Sequence, residues 1–331
     1  MIKSIHFKNF KALRDTTLEL GRFTLLIGPN GSGKSTVLQG LSAAGRPSES
    51  SYSDLVTAGA DPSGEEGPTV QVAWEHPRGA IHVSWPRTGG YTRGHPGMRG
   101  AEQQHAGEAE LAGIGLYSLR PEMVAKPVEL QPNTRLHSNG FGLAVVLDQL
   151  RDQHPERFDR LNAEIGTWIP EFDRVLFQTP GPGTRAIAMR TRLGSHAIPA
   201  GNLSDGTLLA LAILTLAYLP DPPTVVCLEE PDHGLHPRLL QDVRDAIYRL
   251  AYPENFGEDR KPVQVIATTH SPYMLDLFRD HPEEIVICRK TEDNILFERL
   301  SDRPDLDEIL HDTHLGDAWY SGILGGVPAD K

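Results

Sequence analysis

The stretch Gly28-Pro29-Asn30-Gly31-Ser32-Gly33-Lys34-Ser35 fits G-x-x-x-x-G-K-[ST] and directly follows the apolar run Phe23 to Ile27. Glycines at this spacing let consecutive backbone N–H groups curl around an anion where side chains would obstruct them. A helix is expected from about Lys34, with Val37, Leu38 and Leu41 on one face. Its free N–H groups and dipole direct positive charge at the same anion. Strand, glycine loop and helix in this order constrain the chain to an α/β fold holding a phosphate at Asn30, Gly31, Ser32, Gly33, Lys34, Ser35 and Thr36. Lys34 is the residue to reach the β- and γ-phosphates, and the Ser35 hydroxyl is a ligand for Mg²⁺.

Strands are expected at Ile2 to Phe7, Thr16 to Leu20 and Phe23 to Ile27, and a hairpin at Val70 to Trp74 and Ile81 to Trp85. Ala43 to Gly67 and Pro86 to Gly107 read as loops, the second carrying Arg87, Arg93 and Arg99. Phe141 to Ile169 has helical spacing, and Pro180-Gly181-Pro182-Gly183 joins two strand-like pieces. From Thr224 the chain alternates: strand Thr224 to Leu228, helix Pro237 to Leu250, strands Val263 to Thr269 and Ile285 to Cys288. The unbroken apolar strands among these are those of a parallel sheet covered on both faces.

Two further strand ends carry polar chemistry. Val225-Val226-Cys227-Leu228-Glu229-Glu230-Pro231 closes on two carboxylates, the first suited to holding Mg²⁺ and the second to taking a proton from water. Ala267-Thr268-Thr269-His270 closes on a histidine at the same sheet edge. Upstream, Leu203-Ser204-Asp205-Gly206-Thr207 opens an almost wholly apolar helix. Its Ser and Gly make either an anion site or an ordinary N-cap.

These four elements in this order resemble the ABC-type ATPase heads, and more closely the RecF/SMC/OLD-like group than transporter subunits. Ile5-His6-Phe7-Lys8-Asn9-Phe10-Lys11-Ala12-Leu13 resembles that group's start. Glu229-Glu230-Pro231-Asp232-His233-Gly234-Leu235-His236-Pro237 resembles its acidic strand end. Leu315-Gly316-Asp317-Ala318-Trp319-Tyr320-Ser321-Gly322 through Val327-Pro328 is similar to the ending of compact single-head ATPases. The resemblance implies a P-loop NTPase: a two-lobe head with a mixed sheet, flanking helices and an inserted helical lobe. Lobe I would span about 1–125 and 205–331, and the inserted lobe about 126–204. It implies ATP with Mg²⁺ as ligands, Glu229 as the Walker B acid, Glu230 as general base and His270 as the switch histidine. Ser204, Gly206 and Asp232 would contact ATP bound by an opposing protomer, which implies an ATP-dependent homodimer. Glu at position 229 departs from the commoner Asp, and Gln131 is a weak candidate for the Q-loop glutamine.

The resemblance also implies a nucleic-acid-linked role, in phage defence or DNA repair, beside a separate effector such as a nuclease, with DNA as a candidate contact. A nuclease site in this chain is not expected: there is no long heptad array, the chain ends before a Toprim domain, and Asp305-Leu306-Asp307 reads as structural. The spacings His233/His236 and His311/His314 read as turn and surface histidines. The net charge of −12 gives no support for a general nucleic-acid coat but leaves room for local clusters such as Lys8 with Lys11. No apolar run reaches the roughly 20 residues that span a bilayer. Cys227 and Cys288 sit in apolar runs and read as reduced. Together these features predict a cytoplasmic protein without a membrane partner. The alternatives are an ATP-timed protein switch that never touches DNA and, less favoured, a transporter's nucleotide-binding subunit.

Overall fold

The computed structural model describes residues 1–57, 67–75, 78–132, 134–291 and 294–325. Val327 and Pro328 of the expected ending lie outside these residues, as does 58–66 of the expected first loop. The early strands are β1 (Ile2–Phe10), β2 (Leu13–Glu19), β3 (Phe23–Ile27), β4 (Thr69–Trp74), β5 (Ala80–Ser84), β6 (Thr92–Gly94) and β7 (Gly115–Tyr117). Four follow in the middle: β8 (Val128–Glu129), β9 (Phe172–Gln178), β10 (Thr184–Thr191) and β11 (Ala197–Pro199). The last are β12 (Val225–Glu229), β13 (Gln264–Thr269), β14 (Ile285–Lys290) and β15 (Ile295–Arg299). Helices are α1 (Lys34–Gly45), α2 (Tyr52–Leu55), α3 (Gly100–Ala112), α4 (Pro121–Val124), α5 (Leu143–Gln153) and α6 (Pro155–Trp168). They continue with α7 (Asp205–Tyr218), α8 (Leu240–Ala251), α9 (Pro272–Asp276), α10 (Leu306–Asp312) and α11 (Leu315–Tyr320).

The chain divides into two compact units. The first comprises Met1–Leu116, Pro223–Cys227 and Val263–Lys331, the second Tyr117–Pro222 and Leu228–Pro262. The lobe expected at about 126–204 falls wholly within the second unit, which also takes in α7 and α8.

The first unit carries an antiparallel sheet ordered β2-β1-β4-β5-β6 and a sheet ordered β15-β14-β3-β13-β12-β7. In the second sheet β3 pairs in parallel with β13 and β14, while β15 runs antiparallel to β14, so the sheet is mixed. β3 and β13 are buried at every position, as the unbroken apolar and β-branched runs Phe23 to Ile27 and Val265 to Thr269 require. One core joins Ile5, Phe7 and Phe10 of β1, Val37, Leu38 and Leu41 of α1, and Ile266 of β13. The stretch Pro86 to Gly107 is not one loop. It contains β6 and opens α3, whose Ala- and Glu-rich sequence favours helix despite its glycines. Likewise α1 continues to Gly45, and α2 begins at Tyr52 under a capping box in which Ser51 and Asp54 satisfy each other's backbone N–H groups.

The second unit is not purely helical. β10 pairs with β9 across the Pro180–Gly183 connection, and with β8 and β11. Helices α5 and α6 are amphipathic and pack on this sheet. Asn162 ties α6 to it: its Nδ2 donates to the Phe158 carbonyl at 2.8 Å and its Oδ1 accepts from Val175 N at 2.6 Å. Helix α7 is apolar on all sides and buried from Thr207 to Tyr218, with α4, α6 and α8 around it.

Candidate nucleotide site

In the first unit, β3 and β13 end together, beside the middle of β14. Thr269 and Ile287 both pair with Ile27, so His270 and Gly28 leave the sheet at one level, next to Cys288, which stays in β14 paired with Phe297. Gly28 has no room for a side chain, since a Cβ would lie 2.2 Å from Ser32 Oγ and 2.8 Å from the Cys288 carbonyl. Gly33 has φ 87° and forms the N-cap of α1 with no side-chain cap, and a Cβ there would meet Ile295 Cδ1 at 2.5 Å. Gly31 also needs the left-handed region, with φ 76°. The first turn of α1 holds no acidic residue, so its N–H groups and dipole face outward without a resident carboxylate.

Lys34 is 6% exposed, and its Nζ donates to the carbonyls of Gly28 at 2.6 Å and Pro29 at 3.1 Å. Burial pushes the Cys288 thiol up to about 12 although Lys34 pulls the other way, so the thiol stays neutral beside the ammonium. The loop's own carbonyls therefore hold the lysine charge at the anion site. Ser35 and Thr36 are half-buried on the first turn of α1, and Asn30 and Gly31 are exposed at the loop's crest. This cradle fits a polyphosphate, and the Ser35 hydroxyl fits a Mg²⁺ ligand.

His270 is exposed at the end of β13. Trp319 Nε1 donates to its carbonyl at 3.3 Å, and Ser271 accepts from Met274 N to cap α9. The turn presenting the imidazole is thus fixed from both sides. Next to β13 in the sheet stands β12. Gln264 N donates to Thr224 O at 3.0 Å, setting the starts of the two strands side by side, and the last residues of β12 pass into the second unit.

In the second unit, Glu229 and Glu230 are half-buried at the end of β12. Glu230 has φ 47°, a left-handed conformation that a non-glycine residue keeps only where its surroundings enforce it. Two turns enforce it here, with His233 N donating to Glu230 O at 2.9 Å and Leu235 N to Asp232 O at 3.3 Å. Beside the carboxylates lies a cavity of about 260 Å³, lined also by Tyr117, Ser118, Leu209, Ile213 and His233. The sequence reading missed these cavity residues. Tyr117 ends, and Ser118 follows, a strand of three residues, too short for any periodicity to reveal. Gln131 is exposed away from this cavity, its carbonyl accepting from Thr134 Oγ1.

Ser204 caps α7. Its Oγ accepts from Thr207 N at 3.2 Å and pairs with Thr207 Oγ1 at 2.8 Å, so the N-cap geometry is present. Gly206 lies against the turn that follows Glu230, where a Cβ would sit 3.3 Å from the Gly234 carbonyl. Asp232 is half-buried in that turn.

The remaining candidates have structural partners. Arg303 holds Asp305 in a fork, Nε to Oδ1 at 2.8 Å and Nη2 to Oδ2 at 2.6 Å, and this lowers the Asp305 pKa. His236 caps the turn at Arg238, and among the described residues no group of three or more His, Cys, Asp or Glu side chains is arranged to hold a metal ion. Arg93 pairs with Glu108 at 3.4 Å and Lys11 donates to Gln39 at 2.7 Å. No helix among the described residues is long and apolar enough to cross a membrane.

Two family models match the chain. Residues 1–54 match "AAA ATPase domain", and residues 129–276 match "AAA domain, putative AbiEii toxin, Type IV TA system". The first segment contains the phosphate loop, the second Ser204, the Glu229-Glu230 pair and His270. An OLD nuclease of Thermus scotoductus is 23% identical over 369 aligned positions, covering 96% of this chain and 68% of that protein. Among solved structures, an SMC head bound to the C-terminal winged-helix domain of ScpA superposes with a TM-score of 0.65 at 16% identity, covering 90% of this chain and 97% of that one. An SMC head with an extended coiled coil, bound to the C-terminal domain of ScpA from Pyrococcus furiosus, gives 0.63 at 14% identity, covering 93% and 98%. The SMC head domain of Thermotoga maritima gives 0.53 at 17%, covering 90% and 98%.

Proposed function

With this chain an ABC-type ATPase head of the RecF/SMC/OLD group, we propose that it hydrolyses ATP with Mg²⁺ as a dimer that ATP assembles. The observation that carries this reading is the phosphate cradle: Lys34 buried against its own loop, glycines where a Cβ would clash, and an α1 start free of acids. Ser35 and Glu229 would be the residues to hold Mg²⁺, which would supply neutralisation of the phosphate charge. Lys34 turns from the Gly28 and Pro29 carbonyls to the phosphates, and backbone N–H groups from Asn30 to Thr36 close around them. Glu230 takes the proton of the attacking water, and His270 donates to the γ-phosphate.

Ser204, Gly206 and Asp232 act across the dimer, the first two at the start of α7 where N–H groups face outward. The purpose we propose is control of a nucleic-acid-linked process, in phage defence or DNA repair, through a separate effector. The OLD nuclease relative supports that direction. A protein switch without DNA contact is favoured by one observation. In the arginine-bearing segment Arg87 to Arg99, Arg93 is ion-paired to Glu108 rather than presented outward.

Binding and chemistry separate in two variants. Lys34→Ala is expected to lose ATP affinity by calorimetry, whereas Glu230→Gln is expected to bind ATP and release phosphate at least about a hundredfold more slowly. A parental rate in Glu230→Gln would overturn the assignment of the base. Light scattering on Glu230→Gln with ATP is expected to show a dimer that Ser204→Arg prevents while leaving monomeric ATP binding intact. A monomer under those conditions, from a parental protein that hydrolyses ATP, rejects the two-site reading.

A further inference from the structure

The hydrogen bonds of the Glu230 turn set its local geometry, and a non-glycine residue at φ 47° also needs packing that keeps the turn from relaxing. One face of α7 supplies that packing. Gly206, Leu209 and Ile213 recur at helical spacing. Leu209 Cδ1 lies 3.4 Å from where a Cβ on Gly234 would be, and Gly206 approaches the Gly234 carbonyl and the Leu235 Cα. Leu209 and Ile213 also line the cavity that Glu229, Glu230 and His233 border. Leu209 is 5% exposed, so its position is set by the core of the second unit rather than by solvent. The turn can advance no further toward α7 than Gly206 and Leu209 permit, and removing the Leu209 side chain opens a gap beneath Gly234.

From this geometry we infer that Leu209 is a positioning residue for hydrolysis: it seats the Gly234 turn and thereby fixes the Glu230 carboxylate. The inference rests on Glu230 being the base. It also gives α7 a role beyond its own N-terminus. A displacement of the helix start, where Ser204 and Gly206 lie, reaches Glu230 through the same face within a single unit.

The test compares Leu209→Ala with Leu209→Met, which keeps nearly the same volume with a more adaptable side chain. Steady-state phosphate release and ATP calorimetry are measured on the full chain, with a thermal melt for each variant. Leu209→Ala is expected to lower kcat about ten- to a hundredfold through misplacement of the base, with KM and calorimetric ATP affinity held within about twofold. Leu209→Met is expected to recover most of the parental kcat. If Leu209→Ala does not fold, Leu209→Val carries the same expectation with a smaller loss. A parental kcat in the folded truncation, an equal loss in Leu209→Met, or a fall in ATP affinity matching the fall in rate would each overturn the positioning role. Full activity of Glu230→Gln would instead overturn the base itself. An inactive Glu230→Gln beside a fully active Leu209→Ala overturns this inference alone.

Discussion

Gln264 lies at the start of β13 with 1% of its surface exposed, and its amide is engaged at both ends. Oε1 accepts from Ile2 N at 2.9 Å, while Nε2 donates to the carbonyls of Ile2 at 2.7 Å and Gly21 at 2.8 Å. The residue therefore pins the first residues of β1 and the turn before β3 to the central sheet. Gln264→Leu keeps comparable bulk but deprives these buried backbone groups of their partner. At roughly 1–3 kcal/mol for each buried group left unsatisfied, chemical denaturation is expected to show a loss of about 3 kcal/mol. A loss under about 0.5 kcal/mol would mean that the backbone groups find other partners and that the amide is not a staple. Nothing in the sequence marks this glutamine: its neighbours Val263 and Val265 announce a strand, and a lone polar residue at a strand's beginning is usually solvated.

At the scale of elements, α1 shows packing outweighing propensity. A Cβ on Gly40 would lie 2.4 Å from Phe7 Cε1, a ring with no exposed surface. Alanine is the better helix former by about 1 kcal/mol, so propensity alone makes Gly40→Ala stabilising. Overpacking against a fixed ring costs about 1–3 kcal/mol, and a lower melting temperature is expected. A higher one would show that Phe7 yields. Elements with strong patterns were legible beforehand: the unbroken runs of β3 and β13, the alternation of β4 and β5, and the spacing of α5 and α6. The phosphate loop was legible because its chemistry dictates glycine positions. What stayed hidden was set by distant contacts. α3 lies in a Gly-rich stretch read as loop, and docks through Glu110 on Trp74 and Arg78. β7 has three residues and exists by pairing at the sheet's edge. The second unit mixes sheet with helix because β9 covers α6 and β10 covers α5.

For the whole molecule, the open question is what the ATP-bound state presents to other molecules. The charge of −12 repels nucleic-acid phosphate wherever cations are not gathered. The gathering expected from the sequence is reduced in the structure, since Arg93 is paired with Glu108 and Lys11 with Gln39. Lys8 stands opposite Asp15 across the β1–β2 pair. Contacts to DNA phosphates release counterions, so real binding must weaken steeply as salt rises, in proportion to the number of contacts made. With Arg93 and Lys11 engaged within the fold, the affinity is expected to be low. Duplex DNA binding by Glu230→Gln is expected to be weak, independent of sequence, strengthened by ATP and largely gone by about 200 mM salt. No strand cleavage is expected from the pure chain, because Arg303 occupies the Asp305 carboxylate that a metal would need. Fluorescence anisotropy on a labelled duplex, across salt and with or without ATP, measures the first expectation. A cleavage assay with Mg²⁺ and Mn²⁺ measures the second. No binding even at the lowest salt would move the proposal to an ATP-timed protein partner. Metal-dependent cleavage abolished by Asp305→Asn with Asp307→Asn would return that acidic pair to the chemistry.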